Sequence, residues 1–179
     1  MRDLPNGTAG VSYGRDQFAN SVRNDYTFDR TMLIPGGTLS YSVGFSTSDT
    51  GDTEFIGSLD YLTQLPDGVL TASLERGTTV NVDNEEVTRT IAGVNYTHNI
   101  NQLSSLDFGL NLAMVDDSGF GSVGDTTRAD FTLGYRYQVT RDWDWTISYV
   151  GRYSEDTFGA TGRSNAVITS FGRSFTIRP

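Results

Sequence analysis

The chain has 179 residues, with 13 basic and 22 acidic side chains and a net charge of −9 at pH 7. Every cation is Arg, Cys is absent and His98 is the single histidine, so disulfides, thiolate nucleophiles and multi-His metal sites are excluded, and the charge argues against a nucleic-acid partner. The length suits one domain spanning 1–179. No apolar run approaches the ~20 residues of a transmembrane helix. The opening "MRDLPNGTAG" has no apolar segment of the kind a secretory signal carries, so export of this chain implies a signal already removed or a fragment of something longer. Low mean hydropathy does not argue against a β-barrel in lipid, because such a barrel spreads its apolar residues in alternation.

Taken in chain order, two short strand candidates come first, around 8–14 and 22–29. Leu39, Tyr41, Val43 and Phe45 then alternate with Ser40, Ser42, Gly44 and Ser46. Phe55, Leu59 and Tyr61 alternate with Ser58 and Asp60, blurred by Ile56 and Leu62, and Leu70, Ala72 and Leu74 alternate with Thr71, Ser73 and Glu75. The stretch 87–97 is less regular. Leu106, Phe108, Leu110, Leu112 and Met114 alternate with Asp107, Gly109, Asn111 and Ala113. The cleanest pattern lies in "RADFTLGYRYQVTRDWDWTISYVGRY" at 128–153. There Phe131, Leu133, Tyr135, Tyr137, Trp143, Trp145, Ile147 and Tyr149 share one parity, while Arg128, Asp130, Arg136, Asp144 and Arg152 share the other. A last candidate runs over 165–177, with Arg173 on the parity of Phe171 and Phe175. Period two over such lengths means strands with one apolar and one wet face. The pattern predicts about ten strands and no helix.

The connections sort into two classes. Short ones ("LPDGV" at 65–69, "NINQLSS" at 99–105, "TRDW" at 140–143) alternate with long, acidic, Gly/Ser/Thr-rich ones at 46–54, 77–86, 115–127 and 154–164. In an up-and-down meander this puts short turns at one end and long loops at the other, as in outer-membrane barrels. Aromatic residues gather near both ends: Tyr61, Tyr96, Phe108, Tyr137, Trp143 and Trp145 near the short turns, Phe45, Phe55 and Tyr153 near the long loops. That placement matches the two girdles of a membrane-spanning barrel, though strand-end aromatics also pack soluble cores. Strands of roughly 10 residues favour the bilayer over a sandwich, where about 5–6 is usual. The expected fold is all-β: an up-and-down antiparallel transmembrane β-barrel of about ten strands.

Projected inward, the wet parity puts Asp60, Glu75, Asp107, Arg128, Asp130, Arg136 and Arg152 in the lumen. At ten strands an interior is filled by its own side chains, and an aqueous channel needs about 16–18. A salt-bridged interior is therefore expected if the barrel is whole, and a polar channel if it is part of a larger one. The acidic loops carry no calcium-loop spacing, and the sequence predicts neither metal nor cofactor. Barrel enzymes place His and Asp at the extracellular rim, whereas His98 in "YTHNINQ" falls at the short-turn end, so catalysis is not expected.

The segment 126–179 resembles the C-terminal part of outer-membrane β-barrel porins of Gram-negative bacteria. The resemblance is carried by Trp145 and Tyr149, the acidic loop with Glu155 and Asp156, Asn165 opening the last strand, and the terminal Arg173, Phe175 and Pro179. It implies a bacterial outer-membrane location, contact with outer-membrane lipid and lipopolysaccharide, and a transport or structural role. It also implies a small polar solute or polysaccharide as cargo, and recognition by the barrel assembly machinery through Phe175. The chain ends in Ile-Arg-Pro where the common assembly signal ends in Phe. Members of such families are longer, which implies a C-terminal portion of a larger barrel. Two other readings stand beside this one: a soluble or surface-displayed all-β binding domain, and an outer-membrane barrel enzyme.

Overall fold

The computed structural model describes residues 2–17, 22–49, 53–80, 86–117, 126–156 and 158–174. Phe175, the expected assembly signal, lies outside them. The described residues form one antiparallel sheet with no helix. Its strands are β1 (Arg2–Leu4), β2 (Gly7–Gln17), β3 (Val22–Ile34), β4 (Gly37–Ser48), β5 (Thr53–Leu65), β6 (Gly68–Val80), β7 (Glu86–Asn101), β8 (Ser104–Asp117), β9 (Thr126–Gln138), β10 (Trp143–Glu155) and β11 (Thr161–Arg173). They follow one another in space as they do in sequence, a pure meander. Ten of them have 11 to 16 residues, and β1 has three. The order is linear, so among the described residues β1 and β11 are the sheet's two edges.

Most strands are longer than their alternation predicts, and the last is displaced: expected over 165–177 with Asn165 at its start, β11 begins at Thr161, within the expected loop, and places Asn165 inside the strand. The candidates at 8–14 and 22–29 extend to full-length β2 and β3, and Gly77–Val80 and Glu86, read as loop, belong to β6 and β7. β7 runs almost to its turn, absorbing Ile100 as an irregularity in its pairing with β8 between Asn99 and Asn101. That extra residue accounts for the blurred pattern at this end of the strand.

The short-turn end is built by a repeated local rule. The sequences "LPNG" at 4–7, "IPGG" at 34–37 and "LPDG" at 65–68 each place Pro at the first turn position and Gly at the start of the next strand. Pro presets φ for the first corner of a tight turn. Gly36, at φ +76°, takes the left-handed second corner that a side chain disfavours. Each turn is then tied to the strand that follows its hairpin. The Asn6 carbonyl accepts from Leu33 N–H (2.9 Å), Gly36 from Gln64 (2.7 Å), Asp67 from Asn99 (2.6 Å), Leu103 from Gln138 (2.7 Å) and Asp142 from Ser174 (2.9 Å). The five bonds satisfy turn carbonyls that the ladder itself leaves open. At the other end the strands are joined by segments 18–21, 49–52, 81–85, 118–125 and 156–160, four to eight residues against two in four of the short turns. Only the β9–β10 connection, 139–142, is as long as the shortest of them, so the expected sorting of connections otherwise holds.

Because directly paired residues point to the same side, the register fixes the faces along the body of the strands, while at the long-loop rim contacts such as Arg23–Thr78 and Arg76–Glu54 join residues of opposite parity. One row runs Leu70, Tyr96, Phe108, Leu133, Tyr149, Val167 from β6 to β11. A neighbouring row on the other side runs Asp60, Ser73, Gly93, Asn111, Asp130, Arg152, Ser164 from β5 to β11. Ile56 and Leu62, which blur the alternation of β5, fall on this polar side. Glycines concentrate there as well: Gly44, Gly93, Gly109 and Gly134 all lie buried on it.

Gly44 marks a close approach. A Cβ at this position would run into the Tyr26 carbonyl oxygen on β3 and crowd Thr27 Cγ2 at 2.8 Å, whereas a Cβ on Gly77 would meet nothing within 4 Å. Gly44→Val is expected to destabilise the refolded protein by about 1–3 kcal/mol. Gly77→Ala should leave the urea midpoint essentially unchanged. Equal midpoints for the two variants would contradict the β3–β4 packing described here.

Candidate functional site: two opposite faces of one sheet

The sheet has no hydrophobic core of the usual kind. Among the described residues Val87, 4 % exposed, is the only buried apolar side chain. The large apolar residues stand outward instead: Phe45 is 57 % exposed, Phe55 52 % and Leu133 44 %. On the opposite side Ser46 is 1 % and Arg23 3 % exposed. A water-soluble domain arranges these preferences the other way round.

All nine residues expected to form aromatic girdles lie on the apolar face. Tyr61, Tyr96, Phe108, Tyr137, Trp143 and Trp145 occupy the short-turn ends of their strands, and Phe45, Phe55 and Tyr153 the long-loop ends. They form cross-strand pairs. The Phe45 and Phe55 rings meet edge-on at 6.2 Å and Trp143 stacks on Phe171 at 4.7 Å, while Phe131 sits between Phe108 (5.6 Å) and Tyr149 (6.0 Å). Pairs of this geometry contribute beyond the area they cover.

Several polar ring tips on this face are tied down within it. Tyr149 Oη donates to Asn165 Oδ1 (2.8 Å), Trp145 Nε1 to Thr169 Oγ1 (2.8 Å), Tyr13 Oη to Asn24 Oδ1 (2.8 Å) and Tyr153 Oη to Glu155 Oε2 (2.6 Å). Tyr96 Oη meets His98 Nδ1 at 3.1 Å, with the two rings stacked. This explains why β11 departs from the apolar pattern on its outer parity: Asn165 and Thr169 are the acceptors for β10. Arg163 lies over the Tyr153 ring and Arg173 over Trp143. Lateral pairing of every such donor has little value in water, which would solvate them anyway; in an apolar medium an unpaired donor is costly.

All seven residues expected in the lumen share the opposite, polar face: Asp60, Glu75, Asp107, Arg128, Asp130, Arg136 and Arg152. The structure adds residues that the blurred patterns of β2, β3 and β7 concealed, namely Arg23, Asp25, Asp29 and Arg89. They are held by a hydroxyl-rich network. Ser12 Oγ donates to Asp29 (2.8 Å), Arg23 Nη1 to Ser46 Oγ (2.9 Å), Ser46 Oγ to Asp25 (2.5 Å) and Thr97 Oγ1 to Asp107 (2.8 Å). Arg23 Nη1 also reaches Thr78 Oγ1 at 3.3 Å, from β3 to β6. Three strand spacings amount to roughly 14 Å in a flat sheet, beyond the reach of one side chain. The sheet is therefore strongly curved at its long-loop end, with Arg23, Ser46 and Ser48 enclosed there.

Charge is unevenly spread over this face. On β3, β5 and β6 the acids Asp25, Asp29, Asp60 and Glu75 outnumber Arg23, whereas on β7 to β10 Arg89, Arg128, Arg136 and Arg152 are interspersed with Asp107, Asp130 and Asp144. At the long-loop rim Arg76 bridges Glu54 (3.7 Å) and Asp116 (3.4 Å), a pairing across three strands that sequence parity gives no hint of. His98 sits near the short-turn end on the apolar face. Among the described residues no group of three or more His, Cys, Asp or Glu converges as metal ligands.

No family model, curated protein or solved structure matches this chain.

The lateral pairs can be tested in the refolded protein. Asn165→Ala, which strands the Tyr149 hydroxyl, is expected to cost about 1–3 kcal/mol in detergent micelles or lipid. Adding Tyr149→Phe should recover most of that loss. A double variant no more stable than Asn165→Ala alone would show that the hydroxyl needs no partner on this face.

Proposed function

We propose that the chain is an outer-membrane β-barrel protein with a porin-like or structural role, its aromatic face in lipid and its polar face turned inward. The observation that carries this reading is the inverted burial. Apolar and aromatic side chains are exposed along ten long strands, while the concave side is lined by hydroxyls, carboxylates and guanidiniums. Strands of 11 to 16 residues exceed the ~9–11 needed to cross a tilted bilayer path. Backbone groups inside a bilayer must be paired within the protein, which a closed sheet achieves. Closure within the chain would pair β2 with β11. β2 and β11 run antiparallel, being first and tenth of the long strands, and β1 covers only Gly7–Ala9, leaving Gly10–Gln17 open along the outer edge of β2.

In this reading outer-membrane lipid and lipopolysaccharide contact the aromatic face, the barrel assembly machinery inserts the chain, and the interior network of Asp60, Glu75, Asp107, Arg128, Asp130, Arg136 and Arg152 meets any polar solute or polysaccharide that enters.

Heat-modifiability provides the test. Refolded in micelles or liposomes, the chain should migrate faster on SDS gels before boiling than after it, as a closed barrel does. Leu133→Arg, near the middle of β9 on the aromatic face, should cost about 2–4 kcal/mol of stability in lipid, and Thr132→Arg on the other face much less. Full solubility in plain buffer with no gel shift would refute the proposal and leave the soluble binding domain. β-structure that forms only in detergent, without a shift, would mean that closure needs strands from outside this chain.

A further inference from the structure

We propose that the polar face of β9–β11 near the long-loop end holds an oxyanion-binding site, built around Arg128 and Arg152 and suited to the phosphate or carboxylate of a small solute. The site deepens the reading of an inward polar face, but its geometry stands whether or not the sheet lies in a membrane.

A concavity of about 330 Å³ opens there, lined by Arg128 on β9, Arg152, Tyr153 and Ser154 on β10, and Gly162, Arg163 and Ser164 on β11. That volume is at the lower end of small-molecule sites, about 300–1,000 Å³. Two guanidiniums flank one carboxylate: Arg128 Nε donates to Asp130 Oδ2 at 3.0 Å, and Arg152 Nε stands at ion-pair distance, 3.5 Å, from Asp130 Oδ1, which accepts no hydrogen bond. Both contacts use Nε only. Among the described residues the terminal amino groups of both forks make no other contact, and the side chains are 62 % and 61 % exposed. Asp130 thus sits between two planar donor arrays without saturating either, and the concavity itself is lined by cations and hydroxyls and no carboxylate. A guanidinium fork matches the two oxygens of a carboxylate or phosphate.

The neighbouring acids keep their charge but are held by other donors and are not among the residues that line the concavity. Glu155 accepts the Tyr153 hydroxyl, and Asp156 Oδ1 accepts the N–H groups of Phe158 (3.0 Å) and Ala160 (2.9 Å) to cap the β10–β11 loop. Ser154 and Ser164 supply hydroxyls beside the two forks. Arg163 is turned to the other face, over Tyr153, and is not counted among the site's cations.

The experiment titrates the folded chain, in micelles or in buffer as its solubility dictates, with inorganic phosphate, glucose 6-phosphate, galacturonate and glucose, followed by calorimetry. Phosphate compounds, galacturonate or both should bind, and glucose should not; which anion binds identifies the source of the oxyanion. Each of Arg128→Ala and Arg152→Ala should weaken binding about tenfold, the effect of one lost charge-assisted contact. Asp130→Asn, nearly isosteric, should strengthen it several-fold by releasing both forks, a result that a merely structural Arg–Asp–Arg bridge would not produce. Arg152→Lys guards against loss of fold: it keeps the charge and should retain only part of the affinity. Absence of anion binding by the native chain, affinity unchanged in the Arg128→Ala/Arg152→Ala double variant, or weaker binding by Asp130→Asn would each overturn the proposal.

Discussion

Everything in this molecule depends on ten strands keeping the same phase. Side chains alternate with period two, so a slip of one residue between any two neighbours would send one strand's aromatics to the polar side. The backbone ladder alone does not forbid such a slip, since it can form in either phase. The turns enforce the phase. Two-residue connections after Leu4, Ile34, Leu65 and Asn101 leave no slack for a shift, and the longer β9–β10 connection is tied to the end of β11 through Ser174 and Asp142. Where one strand does gain a residue, at Ile100, the irregularity is confined to the last pairs before the turn.

With the phase fixed, the two faces acquire opposite chemistry, and the balance of forces departs from that of a soluble domain. Burial of apolar area contributes little among the described residues, since Val87 alone is enclosed. What holds the sheet is its ladder of backbone hydrogen bonds, cross-strand ring contacts such as Trp143–Phe171, and hydroxyl–carboxylate bonds on the concave side. The apolar face adds stability only against a medium that prefers it. The pairing of Tyr149 with Asn165 and of Trp145 with Thr169 belongs to the same economy, since those donors are matched without recourse to solvent.

The sequence declared most of the fold where its alternation is strong. β4, β8, β9 and β10 could be placed with the right faces, and their ends to within about two or three residues, because large apolar and small polar side chains alternate in them. β2 and β3 were read short, since Arg30 and Asn24 sit on the apolar parity and interrupt it. The Pro-x-Gly turns at Pro5 and Pro35 carried a clear signal that matched Pro66, and they mark strand boundaries the alternation did not supply. Both sets of candidate residues, aromatic and charged, could be read as sets, because membership requires only parity. Their partners could not be. That Arg23 closes onto Ser46 and Thr78, or that Asp130 serves two arginines, depends on curvature and rotamer, which no one-dimensional pattern encodes.

The turn carbonyls carry a further consequence, for assembly. Each is satisfied only when the strand after its own hairpin arrives, so hairpin formation leaves a vacancy that the next hairpin fills. Together with a strictly sequential strand order, this makes the sheet a one-dimensional chain of coupled units, in which each added hairpin also completes its predecessor. Contacts stay local along the sequence, so loop-closure costs are small at each step. Among the described residues the sheet ends on one side at β1, which covers only three residues of β2, and on the other at β11. Long unpaired edges of this kind are the feature that invites pairing with other strands.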